Sequence, residues 1–151
     1  LSAYPQRYQL NLTSETENLE LIREFVAKIA QKTGLKEIDV NKIELAVDEA
    51  CANVIKHAYP EDAPSKPIQI RIEVNPGKML IIVSDKGKGF DVKSVPAVDM
   101  NKYLAEMRVG GLGIYLIRNL MDEVEFTMNQ GKNNEVRMIK YFENHAQKPG
   151  Q

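Results

Sequence analysis

Glu49, Asn53 and His57 recur every four residues in a stretch whose other positions are largely apolar: Val40, Ile43, Ala46, Val47, Ala50 and Val54. On a helix the three polar residues share one stripe beside the apolar face. A carboxylate and an amide so placed can activate a hydroxyl or hold magnesium. That ion prefers oxygen ligands and keeps several waters, so one Asn53 oxygen plus phosphate oxygens would suffice. The plainer reading is a solvated helix edge. A second cluster, Ser84-Asp85-Lys86-Gly87-Lys88-Gly89-Phe90, closes an apolar run. Gly87 and Gly89 allow positive φ and close approach to a ligand. Asp85 can accept a hydrogen bond from an exocyclic amine such as that of adenine. The alternative is an ordinary glycine-rich turn. A third, Gly110-Gly111-Leu112-Gly113, opens a helical pattern, where backbone N–H groups and the helix dipole favour phosphate. It reads otherwise as a hinge. No Gly-Lys-Ser/Thr follows it, so it is not a Walker loop, and it does not follow a first strand as a Rossmann fingerprint would.

The elements that must position these residues follow from periodicity. Arg7–Leu12 alternates and predicts a first strand, with Thr13 or Ser14 as the cap of a helix carrying Leu19, Ile22, Phe25, Val26 and Ile29 on one face. Gly34 ends that helix. Asp39 is the expected cap of a second helix running to about His57. Ile68, Ile70, Ile72 and Val74 alternate as a half-buried strand, Asn75-Pro76-Gly77-Lys78 turns, and Met79–Val83 is apolar throughout, hence central. A polar stretch at about 91–108 lies between the glycine clusters, long enough to be functional or mobile. Ile114–Met121 resumes a helix. Glu123–Met128 and Glu135–Tyr141 close the chain as two strands around the turn Asn129–Asn134. Hairpin-joined strands with grouped helices predict an α+β sandwich, one sheet with helices on one face.

Composition narrows the partners. The 151 residues, 43% hydrophobic and 27% charged, suit one domain with its own core. A net charge of −1 gives no electrostatic case for nucleic acid or an anionic membrane. The single cysteine, Cys51, excludes an intramolecular disulfide and lies in the apolar pattern, so a buried inert thiol is expected. No apolar run reaches the roughly 18 residues of a membrane span. The chain begins at Leu1 without a signal-peptide pattern, and a cytoplasmic location is the default expectation.

The order carries more than any one motif: a helix with Glu-x-x-x-Asn, a strand ending Asp-x-Gly-x-Gly, a polar stretch, then Gly-x-Gly and a helix. Over about residues 8–142 this resembles the N, G1 and G2 boxes of the GHKL (Bergerat-fold) ATPase superfamily. The resemblance implies a single ATP-binding kinase domain over 1–151. Its fold would be a two-layer sandwich of a mixed, mostly antiparallel sheet with helices on one face and a mobile lid at 90–109. Within the superfamily a glutamate four residues before the metal-binding asparagine is a general base, which histidine kinases typically lack. Water or a serine hydroxyl must lose a proton during attack, whereas neutral imidazole need not. The water-using branches need a following transducer domain, and about ten residues follow the last expected strand.

The stretches Asp48–Tyr59 and Gly110–Val124 look like the anti-sigma factor serine kinases of bacterial stress and sporulation switches. By that resemblance Asn53 coordinates Mg2+, Glu49 is the base for a target serine, and Asp85 recognises adenine in a pocket shaped by Gly87 and Gly89. The backbone around Gly110, Gly111, Leu112 and Gly113 binds the phosphates of ATP. His57 faces the nucleotide or packs at the helix edge. Arg108 stabilises transferred charge or is a solvated lid residue. The implied phosphoacceptor is a STAS-domain anti-sigma antagonist, the second partner a sigma factor, and the assembly a homodimer. Many relatives carry a Gly-Thr before the final strand, whose threonine supports the adenine-binding aspartate. Here the turn reads Gly131-Lys132-Asn133-Asn134-Glu135, and Ser84 or a water is expected to compensate. Two alternatives stay open: a nucleotide-sensing binding module without efficient transfer, and a partner-switching kinase with a non-sigma target.

Overall fold

Period-two apolarity builds the sheet. In a computed structural model that describes residues 3–89, 111–129 and 132–143, five strands form. They are β1 (Gln6–Thr13), β2 (Pro67–Asn75), β3 (Lys78–Asp85), β4 (Glu123–Asn129) and β5 (Asn133–Tyr141). The order is β1-β2-β3-β5-β4. Each neighbouring pair is antiparallel, so the mixed character expected of the sheet is not seen among the described strands. The connectivity explains this. The chain leaves β3, passes through a helix, and reaches the edge as β4, so the β4–β5 hairpin brings β5 back against β3.

Ile68, Ile70, Ile72 and Val74 of β2 and Met79, Ile81 and Val83 of β3 are all buried on one face. Burying each such side chain contributes about 1.5–3 kcal/mol. Gly77, at φ 76°, makes the hairpin between them. Helices α1 (Leu19–Lys32), α2 (Glu37–His57) and α3 (Gly111–Leu120) cover that face, α2 lying between the other two. Their core stripes are Ile22, Val26 and Ile29 on α1, Val40, Ile43, Val47 and Val54 on α2, and Ile117 on α3.

The boundaries differ from the sequence expectation where a cap was assumed. Neither Thr13 nor Ser14 caps α1. A 3-10 turn at Thr16–Asn18 intervenes, and the buried Ser14 bonds through its backbone N–H to the Lys66 carbonyl. The second helix starts two residues before Asp39, with an extended Lys36 at its N-cap, so Asp39 stands in the first turn. Gly34, at φ 87°, follows α1 as expected. Cys51 is buried, and burial followed by the nearby Asp48 charge pushes its thiol pKa far up, so the thiol is inert in the fold. Among the described residues no helix is long and apolar enough to cross a membrane.

Candidate active site

The stripe on α2 and the start of α3 meet. A Cβ placed on Gly113 would lie 3.2 Å from Glu49 Oε2 and from Asn53 Nδ2, and 3.3 Å from Asn53 Oδ1. The absent side chain therefore leaves space directly beside a carboxylate and an amide. Both are half-buried, and neither makes a hydrogen bond or ion pair among the described residues. Gly113 lies in the first turn of α3, where unpaired backbone N–H groups collect and the dipole is positive. The two oxygen donors and this helix end suit a phosphate with its magnesium. Among the described residues no three His, Cys, Asp or Glu side chains gather to hold a metal alone, so phosphate oxygens and water would have to complete the shell around Asn53.

At the other end of α3, Lys140 is only 6% exposed. Its Nζ donates to the Leu120 carbonyl at 3.0 Å and lies 3.8 Å from the carboxylates of Asp39 and Asp122. A cation at the C-terminus of α3 complements the helix dipole there. Because Asp39 opens α2, Lys140 also ties the end of α3 to the start of α2.

The second glycine cluster forms a loop folded onto the exit of α2. Lys88 N–H donates to the Ala58 carbonyl at 2.9 Å, and Lys86 N–H donates to the Tyr59 hydroxyl at 2.7 Å. That hydroxyl in turn donates to the Pro67 carbonyl. Burial, with Asp85 nearby, raises the Tyr59 pKa, so the phenol stays neutral. Gly87 presses on Ala58: a Cβ there would lie 2.6 Å from the Ala58 carbonyl carbon and 2.7 Å from its Cβ. Gly89 has φ +67°. The two glycines thus serve different needs, close approach at Gly87 and a left-handed backbone at Gly89.

Asp85 is buried at the end of β3, and its Oδ1 accepts from Gly87 N–H at 2.8 Å and from Asn134 Nδ2 at 3.0 Å. Asn134 Nδ2 also donates to the Gly87 carbonyl at 2.9 Å. With Oδ1 engaged twice, Oδ2 is the oxygen left for a ligand. Beside it runs a cavity lined by Asn53, His57, Asp85 and Gly89, with apolar walls from Ala50, Val54, Phe126, Met128 and Val136. An apolar cavity with one carboxylate acceptor suits an amine-bearing aromatic ring.

The compensation expected from Ser84 is corrected. Ser84 alternates with Asp85 onto the opposite sheet face, and its buried Oγ has no partner among the described residues. Asn134 does the work instead, from its register position opposite Asp85. It belongs to strand β5, not to the turn assigned to 129–134. Sequence reasoning missed Asn134, Tyr59 and Lys140. The signal for two of them was the inward register Asn134-Val136-Met138-Lys140, in which a buried polar side chain must find a partner. His57 is exposed but lines the cavity. Gly111 and Leu112 lie in α3. Arg108, Gly110 and the lid assigned to 90–109 lie outside the described residues.

Comparison with known proteins gives a consistent picture. The family described as "Histidine kinase-like ATPase domain" matches residues 12–140. The chain is 33% identical over 131 residues to the serine-protein kinase RsbW of Halalkalibacterium halodurans, covering 84% of this chain and 79% of that one. It is 33% identical over 138 residues to the serine-protein kinase RsbW of Staphylococcus aureus, covering 89% and 86%. Among solved structures, the RsbU and RsbW domains of a Mycobacterium tuberculosis protein superpose with a TM-score of 0.65 at 14% identity, covering 90% of this chain and 32% of that one. At that identity the likeness concerns the fold.

Proposed function

The chain belongs to the histidine kinase-like ATPase domain family, beside the serine-protein kinases named RsbW, and from that premise we propose how its site is used. It is an ATP-dependent protein serine kinase of the partner-switching kind. Its phosphoacceptor is a STAS-domain anti-sigma antagonist, and its second partner is a sigma factor that it binds and inhibits. We assign it to the cytoplasm and to a homodimer.

In the transfer, adenine enters the slot beside Asp85 and donates its amine to Oδ2. The triphosphate runs along α2 toward the first turn of α3, where the N–H groups around Gly111, Leu112 and Gly113 receive phosphate oxygens. Magnesium, held by Asn53 through one oxygen, would neutralise charge on the phosphates. Glu49 takes the proton from the incoming serine hydroxyl. The serine oxygen forms a bond to the γ-phosphorus, the bond to the β–γ bridging oxygen breaks, and ADP leaves.

One observation carries this reading: the cleft beside Gly113 exposes a carboxylate and an amide oxygen to the positive end of a helix. The binding-module alternative leaned on the missing threonine, and Asn134 bracing Asp85 removes that support. The test is incubation with labelled ATP, magnesium and a STAS-domain substrate. Glu49→Gln is expected to bind ATP as wild type does and to lose transfer, and Asn53→Ala to lose both. Transfer undiminished in Glu49→Gln would refute the assigned base.

A further inference from the structure

The row of side chains that serves the transfer continues past Glu49. Leu45 stands four residues before it, so Leu45, Glu49, Asn53 and His57 form one line along α2. Ile38, seven residues before Leu45, falls on the same stripe. The two are 61% (Ile38) and 44% (Leu45) exposed. Single exposed hydrophobics are ordinary, but these two are aligned with the proposed base. The ends of the row differ. Asn53 and His57 line the cavity beside Asp85, where the proposed reaction puts the adenine, so ADP lies toward that end. In phosphoryl transfer the attacking and leaving oxygens are roughly in line through phosphorus. The acceptor oxygen therefore reaches Glu49 from the opposite side, over Leu45, about 6 Å away along the helix axis. Toward α1 the stripe is bordered by acid. Arg23 bonds Asp48 at 2.7 Å and also feels the charges of Glu20 and Glu44, so three carboxylates surround one guanidinium.

We propose that the stripe through Ile38 and Leu45 is the docking surface for the serine-bearing protein substrate, with Leu45 as its anchor. A standard interface covers about 800 Å² on each partner, a disc of roughly 16 Å radius. Centred on Glu49, such a disc takes in Leu45 and reaches Ile38, about 16 Å off along the helix. The substrate face that fits is an apolar patch next to the acceptor serine, with lysine or arginine on the side that meets Glu20, Glu44 and Asp48. Apolar burial supplies affinity, and the charges supply orientation and encounter rate. Leu45 touches neither ATP nor the reacting atoms, so it is a positioning residue. This inference rests on the kinase reading above and names where its protein substrate sits.

The test is phosphoryl transfer from labelled ATP to a STAS-domain substrate, with KM for the protein substrate and kcat measured separately on wild type, Ile38→Ala, Leu45→Ala and Leu45→Arg. ATP affinity is measured alongside by calorimetry. Leu45→Ala is expected to raise KM about 5- to 30-fold, the range of an interface hot spot, with kcat and ATP affinity close to wild type. Leu45→Arg sets a like charge against the basic rim of the substrate and should raise KM further. Ile38→Ala, at the margin of the disc, should raise it less. Wild-type KM in both Leu45 variants overturns this proposal alone. So does a change confined to the kinase's own association, seen by sedimentation at an unchanged KM, which would give the stripe to a second copy of the chain. Wild type that binds ATP and phosphorylates no STAS-domain protein overturns the kinase reading and this proposal with it.

Discussion

Replacing Gly113 by alanine sets two effects against each other. In the first turn of a helix the change removes glycine's excess backbone freedom, which stabilises the fold by about 0.5–1 kcal/mol. For a domain of this size that raises the melting temperature by roughly 1–4 °C. The new methyl, however, lies 3.2 Å from Glu49 Oε2 and 3.2–3.3 Å from the Asn53 amide atoms. Optimal contact begins at about 3.5 Å, so both side chains must retreat by a few tenths of an ångström. They are free side-chain ends and can do so without disturbing the core. The methyl also fills the space that the proposed reaction gives to a phosphate oxygen. A misplacement of about 1 Å can cost on the order of 100-fold in rate, so a shift of this size plus the lost volume should cost at least about tenfold. Thermal melting and phosphoryl transfer, measured on the same sample, read both signs. A variant at least as stable as wild type that transfers phosphate at the wild-type rate would show that the reaction does not occur between α3 and the Glu49–Asn53 stripe.

Gly87→Ala, by contrast, should lose stability as well as function. The new Cβ meets Ala58 backbone that cannot yield, so the loop must lift and lose the bonds from Lys88 and Lys86 to Ala58 and Tyr59. At about 1 kcal/mol each, ATP affinity by calorimetry should fall roughly 30-fold and urea stability by about 2 kcal/mol. Lys140→Met removes a buried donor to the Leu120 carbonyl and the cation beside the carboxylates of Asp39 and Asp122. A loss of about 1.5–3 kcal/mol, or roughly 4–10 °C in melting temperature, is expected. A more stable methionine variant would mean that desolvation of the lysine outweighs its bonds.

Much of the fold was legible because sheet and helix patterns are local. The alternation from Ile68 to Val74 placed β2 within one residue at each end, and the helical stripe through Val47, Ala50 and Val54 fixed both the face of α2 that is buried and the position of Glu49 beside it. What stayed hidden depends on partners distant in sequence. Asp39 reads as a cap from its neighbours, yet its use is toward Lys140, about a hundred residues on. Asn134 reads as a turn residue among asparagines, and only the β3–β5 register places it opposite Asp85. Tyr59 looked like the tail of a motif, and its hydroxyl is spent on a loop across the sheet end. Each is a polar side chain whose value comes from a tertiary bond, which composition and period do not encode.

The way these bonds are distributed explains why one helix governs the site. Glu49 and Asn53 face the start of α3, and Ala58, at the end of the same helix, holds the loop of Asp85. Nine residues at 1.5 Å each set Glu49 and Ala58 about 13.5 Å apart along a single rigid rod, the span from the proposed phosphate end to the proposed base end. Lys140 braces the other end of α3. It joins Leu120 to Asp39, the C-terminus of α3 to the start of α2, so the two helices run antiparallel and the end of α3 that reaches Glu49 is the N-terminal, positive one. With α3 reversed, the carbonyl end would face the same carboxylate and repel a phosphate. The polarity of the cleft thus follows from the antiparallel course of α2 and α3, which Lys140 braces at the end away from Glu49.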